Sequence, residues 1–299
     1  MTIGYLIVFF VCILGAIKGY CGKKVSAVAV GYRNSLLATT LRMVLCAITG
    51  FLFSVLTEGF SCLSVSKDTL LCALFAAFAM DSCVLTWLEA VRNDSYMMIS
   101  VFEMLSSVIP IALCGVLYGE AVRPIQWVGT ALLVAATVIM LSFSADTFGK
   151  LKASSFIMPI LFCLTNGLHL FSSRLFIYAG TPDTNAAFNL YTYVFAALLA
   201  LLFLLFINRA SGGKTDDRPM IKRIFVGVLI MAVALFFSSF LQTEASKLLL
   251  SAQMYPFKQG VALLMSIAMS VLFFGEKLTK KSVIGSIMAF AGLLMVNVL

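Results

Sequence analysis

Two stretches of the 299-residue sequence share one pattern: residues 116–129 read VLYGEAVRPIQWVG, and residues 272–285 read LFFGEKLTKKSVIG. In each stretch, apolar residues precede a Gly-Glu pair, a short polar turn follows, and a glycine lies nine positions after the glutamate in a new apolar run. The two copies are 156 positions apart. This spacing predicts that the chain is an internal duplication whose two halves fold alike.

A basic residue supports the duplication and its boundaries. At the same offset Lys18, near the end of the first apolar run, aligns with Arg174, near the end of the sixth. We therefore predict one repeat over residues 1–148 and a second over residues 149–299, integrated in one membrane domain. The Gly-Glu turns are interpreted as structural, because glycine permits a tight turn and a glutamate near a helix start is favoured by the helix dipole.

The composition indicates a membrane protein. Apolar residues make up 62% of the chain and charged residues 11%, with a mean hydropathy of +1.05, whereas a soluble domain is about half apolar and roughly a quarter charged. Such a chain cannot cover itself with polar surface, which excludes a soluble enzyme, a secreted disulfide module and a disordered scaffold. The net charge of +8 is expected in loops that set the topology, not in a nucleic-acid site.

Ten apolar stretches are long enough to cross a bilayer. A helix needs about 20 mostly apolar residues to cross a hydrocarbon core of ~30 Å, and the continuous runs favour helices over a β-barrel. The predicted segments are 2–20, 35–57, 69–90, 96–118, 124–143, 155–178, 185–207, 222–244, 250–274 and 282–298. Because each repeat has an odd number of segments, the two copies have opposite orientations. The predicted fold is an all-α integral membrane protein with ten transmembrane helices in two inverted five-helix repeats, a transporter pattern.

The sequence resembles the drug/metabolite transporter superfamily, in particular its EamA-like members. The resemblance rests on the two repeats with their Gly-Glu turns, on the stretch from Tyr255-Pro256 to Gly285, and on Arg42 early in segment 2. It implies a multi-pass transporter of the bacterial inner membrane in which segments 4 and 9 both line a central cavity. It implies no particular substrate, because such families carry amino acids, sugars, nucleotides, drugs and other metabolites.

Lysine and arginine are distributed unevenly between the two sets of loops. The odd-numbered loops hold fifteen: Lys18, Lys23, Lys24, Arg33, Arg92, Lys150, Lys152, Arg209, Lys214, Arg218, Lys222, Arg223, Lys277, Lys280 and Lys281. The even-numbered loops hold three: Lys67, Arg123 and Lys247. The positive-inside rule places the odd-numbered loops in the cytoplasm and both termini outside. The family resemblance implies cytoplasmic termini instead, so both orientations stay open.

Two charged residues deep in the predicted helices, Glu103 and Lys258, are expected to pair. At 1.5 Å per residue they lie roughly 10 Å and 12 Å into segments 4 and 9, which enter from opposite faces, so the side chains can meet near the midplane. The pair is either a buried ion pair that fixes packing or a switch that opens when a charged substrate or proton competes for one partner. Arg42 is expected to reach a lipid headgroup or to pair with Asp81.

Other polar residues of the predicted helices are candidates for substrate binding or coupling. On segment 9, Tyr255 and Gln259 flank the helix-kinking Pro256 and form a ligand wall, unless the kink serves packing alone. Asn166 and His169 share one face of segment 6. His169 is either a packing residue or a proton relay, and as the only histidine it excludes a multi-histidine metal site.

The predicted function is secondary active transport of a small polar metabolite or drug-like compound by alternating access. The sequence has no GxxxxGK[ST] loop for ATP, and no catalytic or metal-ligand constellation suggests an enzyme or a cofactor. Glu103, Asp81 and His169 are the embedded groups that can carry a proton, so proton coupling is one option. The alternative is a non-transporting structural or sensor protein.

The expected partners follow from the same observations. They are the small-molecule substrate, the lipid bilayer and, for coupled transport, protons. Nucleic acid is not among them, and the chain is expected to act as a monomer or a homodimer.

The distribution of basic residues generates a test of topology. With the odd-numbered loops in the cytoplasm, Gly213→Cys in a cysteine-free variant should resist a membrane-impermeant maleimide in intact cells, whereas Leu299→Cys should be labelled. Labelling is measured before and after permeabilisation. Rapid labelling at position 213 in intact cells would contradict the charge-based orientation and favour the family-based one.

Overall fold

The computed structural model describes residues 2–93, 96–148, 157–210, 218–274 and 280–297. These residues form eleven α-helices and one short 3-10 helix, and they contain no β-strand. In chain order the helices are α1 (Thr2–Val28), α2 (Tyr32–Glu58), the 3-10 helix (Gly59–Leu63), α3 (Lys67–Asn93), α4 (Tyr96–Leu105), α5 (Val108–Tyr118), α6 (Pro124–Phe148), α7 (Ile157–Tyr178), α8 (Asn185–Ala210), α9 (Arg218–Leu248), α10 (Ser251–Phe274) and α11 (Lys280–Asn297).

Within the described residues, six helical segments are long and apolar enough to cross a membrane. They are Thr2–Val28, Tyr32–Leu63, Lys67–Val91, Ile157–Tyr178, Asn185–Arg209 and Arg218–Leu248. Shorter apolar helical stretches lie at Phe102–Tyr118, Pro124–Ala136 and Val283–Gly292, within the segments predicted as the fourth, fifth and tenth spans. The chain is therefore an all-helical, multi-pass integral membrane protein, and the count of ten spans stays a prediction.

The helix predicted over residues 96–118 is divided in two. α4 ends at Leu105 and α5 begins at Val108, with Ser106 and Ser107 between them, so the prediction of one continuous helix is wrong here. Pro110 explains the break, because it has no amide hydrogen to donate to the Ser106 carbonyl four residues earlier, and its ring crowds that carbonyl. The Ser107 hydroxyl donates to the carbonyl of Met104 (2.7 Å), which satisfies one backbone acceptor at the end of α4.

The main helix–helix contacts join one predicted half of the chain to the other. α1 packs against α9 and α10, α7 packs against α3, α4 and α5, α2 packs against α8, and α6 packs against α11. The largest buried apolar cluster includes Met43 and Trp87 from the first half and Tyr193 and Phe236 from the second. The core therefore lies between the halves, so neither half buries its apolar face alone.

Gly167 allows α7 to approach the break between α4 and α5 closely. A β-carbon at this position would lie 2.9 Å from the carbonyl oxygen of Ser106 and 2.7 Å from the β-carbon of Ile109. The Ser106 carbonyl belongs to the backbone and cannot rotate away as a flexible side chain would. The contact between the two halves at this point therefore depends on glycine.

Replacement of Gly167 by alanine should lower the thermal unfolding temperature in detergent, because the added methyl group forces α7 away from the break, at a cost of about 1–3 kcal/mol. Gly115→Ala is the matched control, since a β-carbon there meets only the Glu120 carbonyl oxygen at 3.8 Å and alanine favours a helix. Equal unfolding temperatures for the two variants would contradict the assignment of a tight contact.

Candidate functional site

A cavity of about 60 Å³ lies between the two halves, and we call it the central cavity. It has room for a few water molecules. It is lined by Cys12, Gly15, Ala16, Lys18, Gly19, Arg42, Cys83, Val84, Trp87, Glu103, Phe162, Asn166 and Ala262. These residues come from α1, α2, α3 and α4 of the first half and from α7 and α10 of the second.

Three charged side chains line the central cavity. Arg42 is 3% exposed and its Nε has no hydrogen-bond partner. Lys18 is close enough to Arg42 to be repelled by it and close enough to Glu103 to be attracted. Small residues of α1, including Gly15 and Gly19, line the wall beside Lys18 and leave space for these long side chains.

Lys258 lies beside this group with a partner that the sequence did not indicate. Its ammonium group donates to Oε1 of Gln242 on α9, and Gln242 Nε2 in turn donates to the Ser173 hydroxyl (3.3 Å). Lys258 and Glu103 interact electrostatically, but among the described residues no ion pair joins them. The predicted direct pair is therefore absent from this conformation, because the amide oxygen of Gln242 takes its place.

The break between α4 and α5 is held by side chains of the second half. Asn166 Nδ2 donates to the Ser106 hydroxyl oxygen (2.6 Å), and Gln259 Nε2 lies 3.5 Å from the same oxygen. Cys83 donates to Asn166 Oδ1 (3.5 Å), while Oε1 of Gln259 is buried without a partner. Two predicted site residues, Asn166 and Gln259, thus meet at a serine that no sequence pattern distinguished.

The remaining candidates lie outside the lining of the central cavity. Tyr255 is fully buried and donates its hydroxyl to the Leu170 carbonyl (2.8 Å), so it ties α10 to α7. Nδ1 of His169 is buried without a partner. Asp81 is 7% exposed, and neither carboxylate oxygen has a partner. The predicted pairing of Arg42 with Asp81 is therefore wrong, as is the placement of Arg42 at a lipid headgroup.

A buried carboxylate joins the turn after α5 to the second half. Gly119 adopts a left-handed conformation (φ 66°), which turns the chain sharply after α5. The Glu120 side chain then accepts hydrogen bonds from the Tyr178 hydroxyl (2.7 Å) and from the backbone amide (2.9 Å) and hydroxyl of Ser251. Ser251 begins α10, so Glu120 interacts with the start of α10 and not with the helix that follows it. The matching Gly275-Glu276 lies outside the described residues.

Arg174 completes this cluster. Its guanidinium group lies 3.5 Å from Glu120, and both side chains are almost fully buried. It also donates to the carbonyls of Ser246 (2.9 Å) and Leu249, which lie at the carboxyl end of α9. A cation is favoured there because the last helical carbonyls lack partners. The contacts of Arg174 are therefore structural, whereas Lys18, its counterpart in the predicted duplication, lines the central cavity.

Further polar contacts connect the turns at the same face of the molecule, which we call the cross-linked face. Asp183 accepts hydrogen bonds from the amide (2.8 Å) and hydroxyl (2.6 Å) of Ser66. The Thr184 hydroxyl donates to the Glu58 carboxylate (2.6 Å). Together with the Glu120 cluster, these contacts join turns of the first half to turns of the second.

The surroundings of Glu120 set its acid–base behaviour. Burial alone raises the pKa of the carboxyl, but the hydrogen bonds from Ser251, the attraction of Arg174 and the hydrogen bond from Tyr178 outweigh it and hold the pKa below its ordinary value of 4.5. A carboxyl with a depressed pKa contributes stability that is fully present above its ordinary pKa and is lost as the pH falls through the folded value.

Glu120→Gln should lower the free energy of unfolding at neutral pH by about 1–3 kcal/mol, because buried donors lose a charged acceptor. The variant should also lose part of the wild-type decrease in unfolding temperature as the pH falls below 4.5. The measurement is thermal unfolding in detergent across a pH series. Lys247→Gln is the control, since it breaks an exposed ion pair at the same face, worth about 0–1 kcal/mol. Identical pH profiles for wild type and Glu120→Gln would contradict this account.

Comparisons with known proteins agree with the helical architecture. A solved crystal structure superposes on the chain with a TM-score of 0.67 and 15% sequence identity, over 100% of this chain and 97% of the other. At this identity the likeness shows the fold alone. A comparison with curated proteins found no match.

A sequence model of the EamA-like transporter family matches residues 155–298. The match covers α7 to α11, which contribute Asn166 to the lining of the central cavity, Lys258 beside it, and Arg174 at the cross-linked face. The resemblance derived from the repeated Gly-Glu turns is thereby confirmed. The similarity to the EamA-like transporter family is therefore shown for residues 155–298, just under half of the chain.

Proposed function

We propose that the protein is a secondary transporter that moves a small polar metabolite or drug-like compound by alternating access, with the substrate bound in the central cavity. The membrane concerned is the inner membrane of a bacterial cell. The observation that carries the proposal is a charged, buried cavity at the junction of the two halves. Lys18, Arg42 and Glu103 line it, and ionisable residues inside a membrane domain normally mark a substrate or ion pathway.

The packing pattern supports two inverted repeats and ten spans. If α1 is exchanged for α7, and α3 for α9, the contact of α1 with α9 becomes that of α7 with α3. The same exchange, with α10 matched to α4 and α5, turns the contact of α1 with α10 into that of α7 with the broken helix. The pairs α2–α8 and α6–α11 map onto themselves. A two-fold relation between the repeats gives this pattern, and in this scheme α4 and α5 together form one span.

The sidedness of the polar contacts supports alternating access. The turns of the cross-linked face are bonded to one another, whereas the central cavity is nearer the opposite face: Lys18 lies ten residues from the carboxyl end of α1 and sixteen from its start. We infer that this conformation is closed at the cross-linked face. Under the positive-inside orientation, this conformation is open toward the cytoplasm. Opening toward the outside requires release of the contacts made by Glu120.

The charges favour a substrate that carries an anionic group. Lys18, Arg42 and Lys258 are basic, and Glu103 is the acidic residue in their midst, so three positive charges face one negative charge. Arg42 has an Nε without a partner. A carboxylate or phosphate would supply hydrogen-bond acceptors to this donor and reduce the repulsion between the basic groups. The small volume implies that the helices separate when a larger metabolite binds.

Proton coupling is proposed at Glu103. Of the three candidates for carrying a proton, it is the one that lines the central cavity, where an anionic substrate competes with it for Lys18 and Lys258. Release of those basic partners leaves the Glu103 carboxylate inside the membrane domain without a compensating positive charge. His169 and Asp81 do not line this cavity.

Transport is tested with purified protein in liposomes, using dicarboxylates, sugar phosphates, neutral amino acids and alkylammonium ions as separate substrates. Anions should be taken up, and Arg42→Gln should reduce their uptake by at least about tenfold, because a hydrogen bond to a charged group is lost. Lys24→Gln is the control, since Lys24 is exposed on the same helix as Lys18. An imposed pH gradient should alter accumulation in the wild type but not in Glu103→Gln.

The outcomes separate the alternatives. Uptake of none of the four classes, with protein that unfolds cooperatively, would favour a non-transporting structural or sensor protein. Uptake of cations or neutral amino acids in place of anions would reject the charge argument while retaining transport. Accumulation that does not respond to the pH gradient would reject proton coupling alone.

A further inference from the structure

A second and larger cavity borders a different face of α3 from the central cavity, and we call it the lateral groove. Its volume is about 340 Å³, within the range of small-molecule sites, and it is bounded by α2, α3, α7 and α8. Both α7 and α8 pack against α3, which contributes most to the lining. The lateral groove shares no lining residue with the central cavity, and the proposed transport cycle does not use it.

The lateral groove opens toward the lipid. Apolar side chains that line it remain substantially exposed, with Phe78 at 58%, Leu161 at 40% and Phe203 at 52%. In a multi-pass membrane protein, apolar surface of this kind on the outside of the bundle faces hydrocarbon. A lipid of the bilayer therefore reaches the groove from the side.

The lateral groove covers the depth of one leaflet. Its lining on α3 runs from Phe78 to Glu89, which is about 16 Å along the helix axis and close to half of a hydrocarbon core of ~30 Å. Because α3 begins with Lys67 at the cross-linked face, Phe78 lies near the middle of the membrane and Glu89 near the opposite face. Tyr32, the first residue of α2, lines the end of the groove at that face, as is common for tyrosine at a membrane interface.

The walls of the lateral groove present hydrocarbon to an occupant, because most of the lining side chains are apolar. Two acidic residues belong to the lining, but both carboxylate oxygens of Asp81 are fully buried. Glu89 is also buried and accepts a hydrogen bond from Ser35 (2.7 Å). A polar solute would lose its own hydrogen bonds against such walls, whereas an acyl chain gains dispersion contacts with them. The matching occupant is therefore a hydrocarbon chain from the surrounding leaflet.

Basic residues lie where the lateral groove reaches the face opposite the cross-linked face. Arg33 directly follows Tyr32 and shares a helix face with Leu36, which lines the groove. Its Nε donates to Oδ1 of Asn208 on α8 (2.8 Å), so the guanidinium group bridges α2 and α8 at this end. A guanidinium group carries five N–H donors and binds several acceptors at once. Arg209, which follows Asn208, is exposed.

The start of α2 adds donors for an anion beside Arg33. Among the described residues, no side chain caps this helix start. The amides in the first turn of a helix have no acceptor within the helix, and together with the helix dipole they favour a phosphate group. This end of the lateral groove therefore matches a phosphate, and the remainder matches the hydrocarbon chain attached to it.

We propose that the lateral groove binds an anionic glycerophospholipid from the leaflet at the face opposite the cross-linked face. One acyl chain lies along α3 and the phosphate lies beside Arg33. The basic surroundings favour a headgroup with a net negative charge, such as phosphatidylglycerol, over the zwitterionic phosphatidylcholine. Under the positive-inside orientation this is the cytoplasmic leaflet. The site is separate from the central cavity, so lipid binding does not depend on the proposed transport.

Native mass spectrometry tests the proposal on detergent-purified protein mixed with equal amounts of dioleoylphosphatidylglycerol and dioleoylphosphatidylcholine. The two lipids carry the same chains, so a difference in retention reports the headgroup. The wild type should retain phosphatidylglycerol preferentially, and Arg33→Gln should weaken its retention by at least about tenfold, because a hydrogen bond between charged groups is lost. Lys222→Gln is the matched control, since Lys222 is exposed in the first turns of α9 at the same face, and it should leave retention unchanged.

Two further measurements separate the acyl chain from the headgroup. Leu199→Trp fills the lateral groove from α8 and should also reduce retention of phosphatidylglycerol, which supplies the test if Arg33→Gln fails to fold. Glycerophosphoglycerol, the headgroup without its chains, should not displace the lipid. Equal retention of the two lipids by the wild type, or undiminished retention by Leu199→Trp, would overturn the proposal. Displacement by glycerophosphoglycerol would also overturn it and leave an anion site without an acyl chain. None of these results bears on transport through the central cavity.

Discussion

The buried ion pair between Glu120 and Arg174 organises one end of the molecule. The Arg174 guanidinium group donates hydrogen bonds to carbonyls at the end of α9, and the Glu120 carboxylate accepts a hydrogen bond from the first residue of α10. Five backbone and side-chain groups that would otherwise lie unsatisfied in a low-dielectric region are paired by these two side chains. Because Glu120 comes from the first half and Arg174 from the second, the turn between α9 and α10 is held against the turn after α5. The central cavity lies on the other side of this cluster, so any motion that opens this face must first separate the pair.

Helix α3 separates two groups of charged residues in the membrane domain. On one side of α3, Lys18, Arg42 and Glu103 line the central cavity, and on the other side Asp81 and Glu89 border a separate cavity, the lateral groove, between α3 and helices α2, α7 and α8. This separation has a simple geometric origin, since side chains on different faces of one helix cannot share a cavity.

The break between α4 and α5 shows how a small change in one helix creates a polar junction. Pro110 removes one backbone donor, and the chain turns at Ser106 and Ser107. The Ser106 hydroxyl oxygen accepts a hydrogen bond from Asn166 of α7, and the side-chain amide of Gln259 of α10 lies beside it. Gly167 allows the Ser106 backbone to approach α7 closely. Non-helical backbone is tolerated at membrane depth only where other protein groups satisfy it, and here the second half of the chain supplies them.

The sequence by itself determined the membrane class and most helix positions, because long apolar runs are local patterns that survive without tertiary contacts. The duplication indicated by the repeated Gly-Glu turn stays a prediction. The sequence also identified Glu103, Asn166, Gln259 and Lys258 as polar groups whose energetic cost inside a bilayer indicates a function. The partners of these groups were decided by the tertiary structure. Lys258 contacts Gln242 and not Glu103, Arg42 is separated from Asp81, and Glu120 contacts the start of α10. These contacts depend on which helices pack against each other, and that packing joins halves that are far apart in the chain.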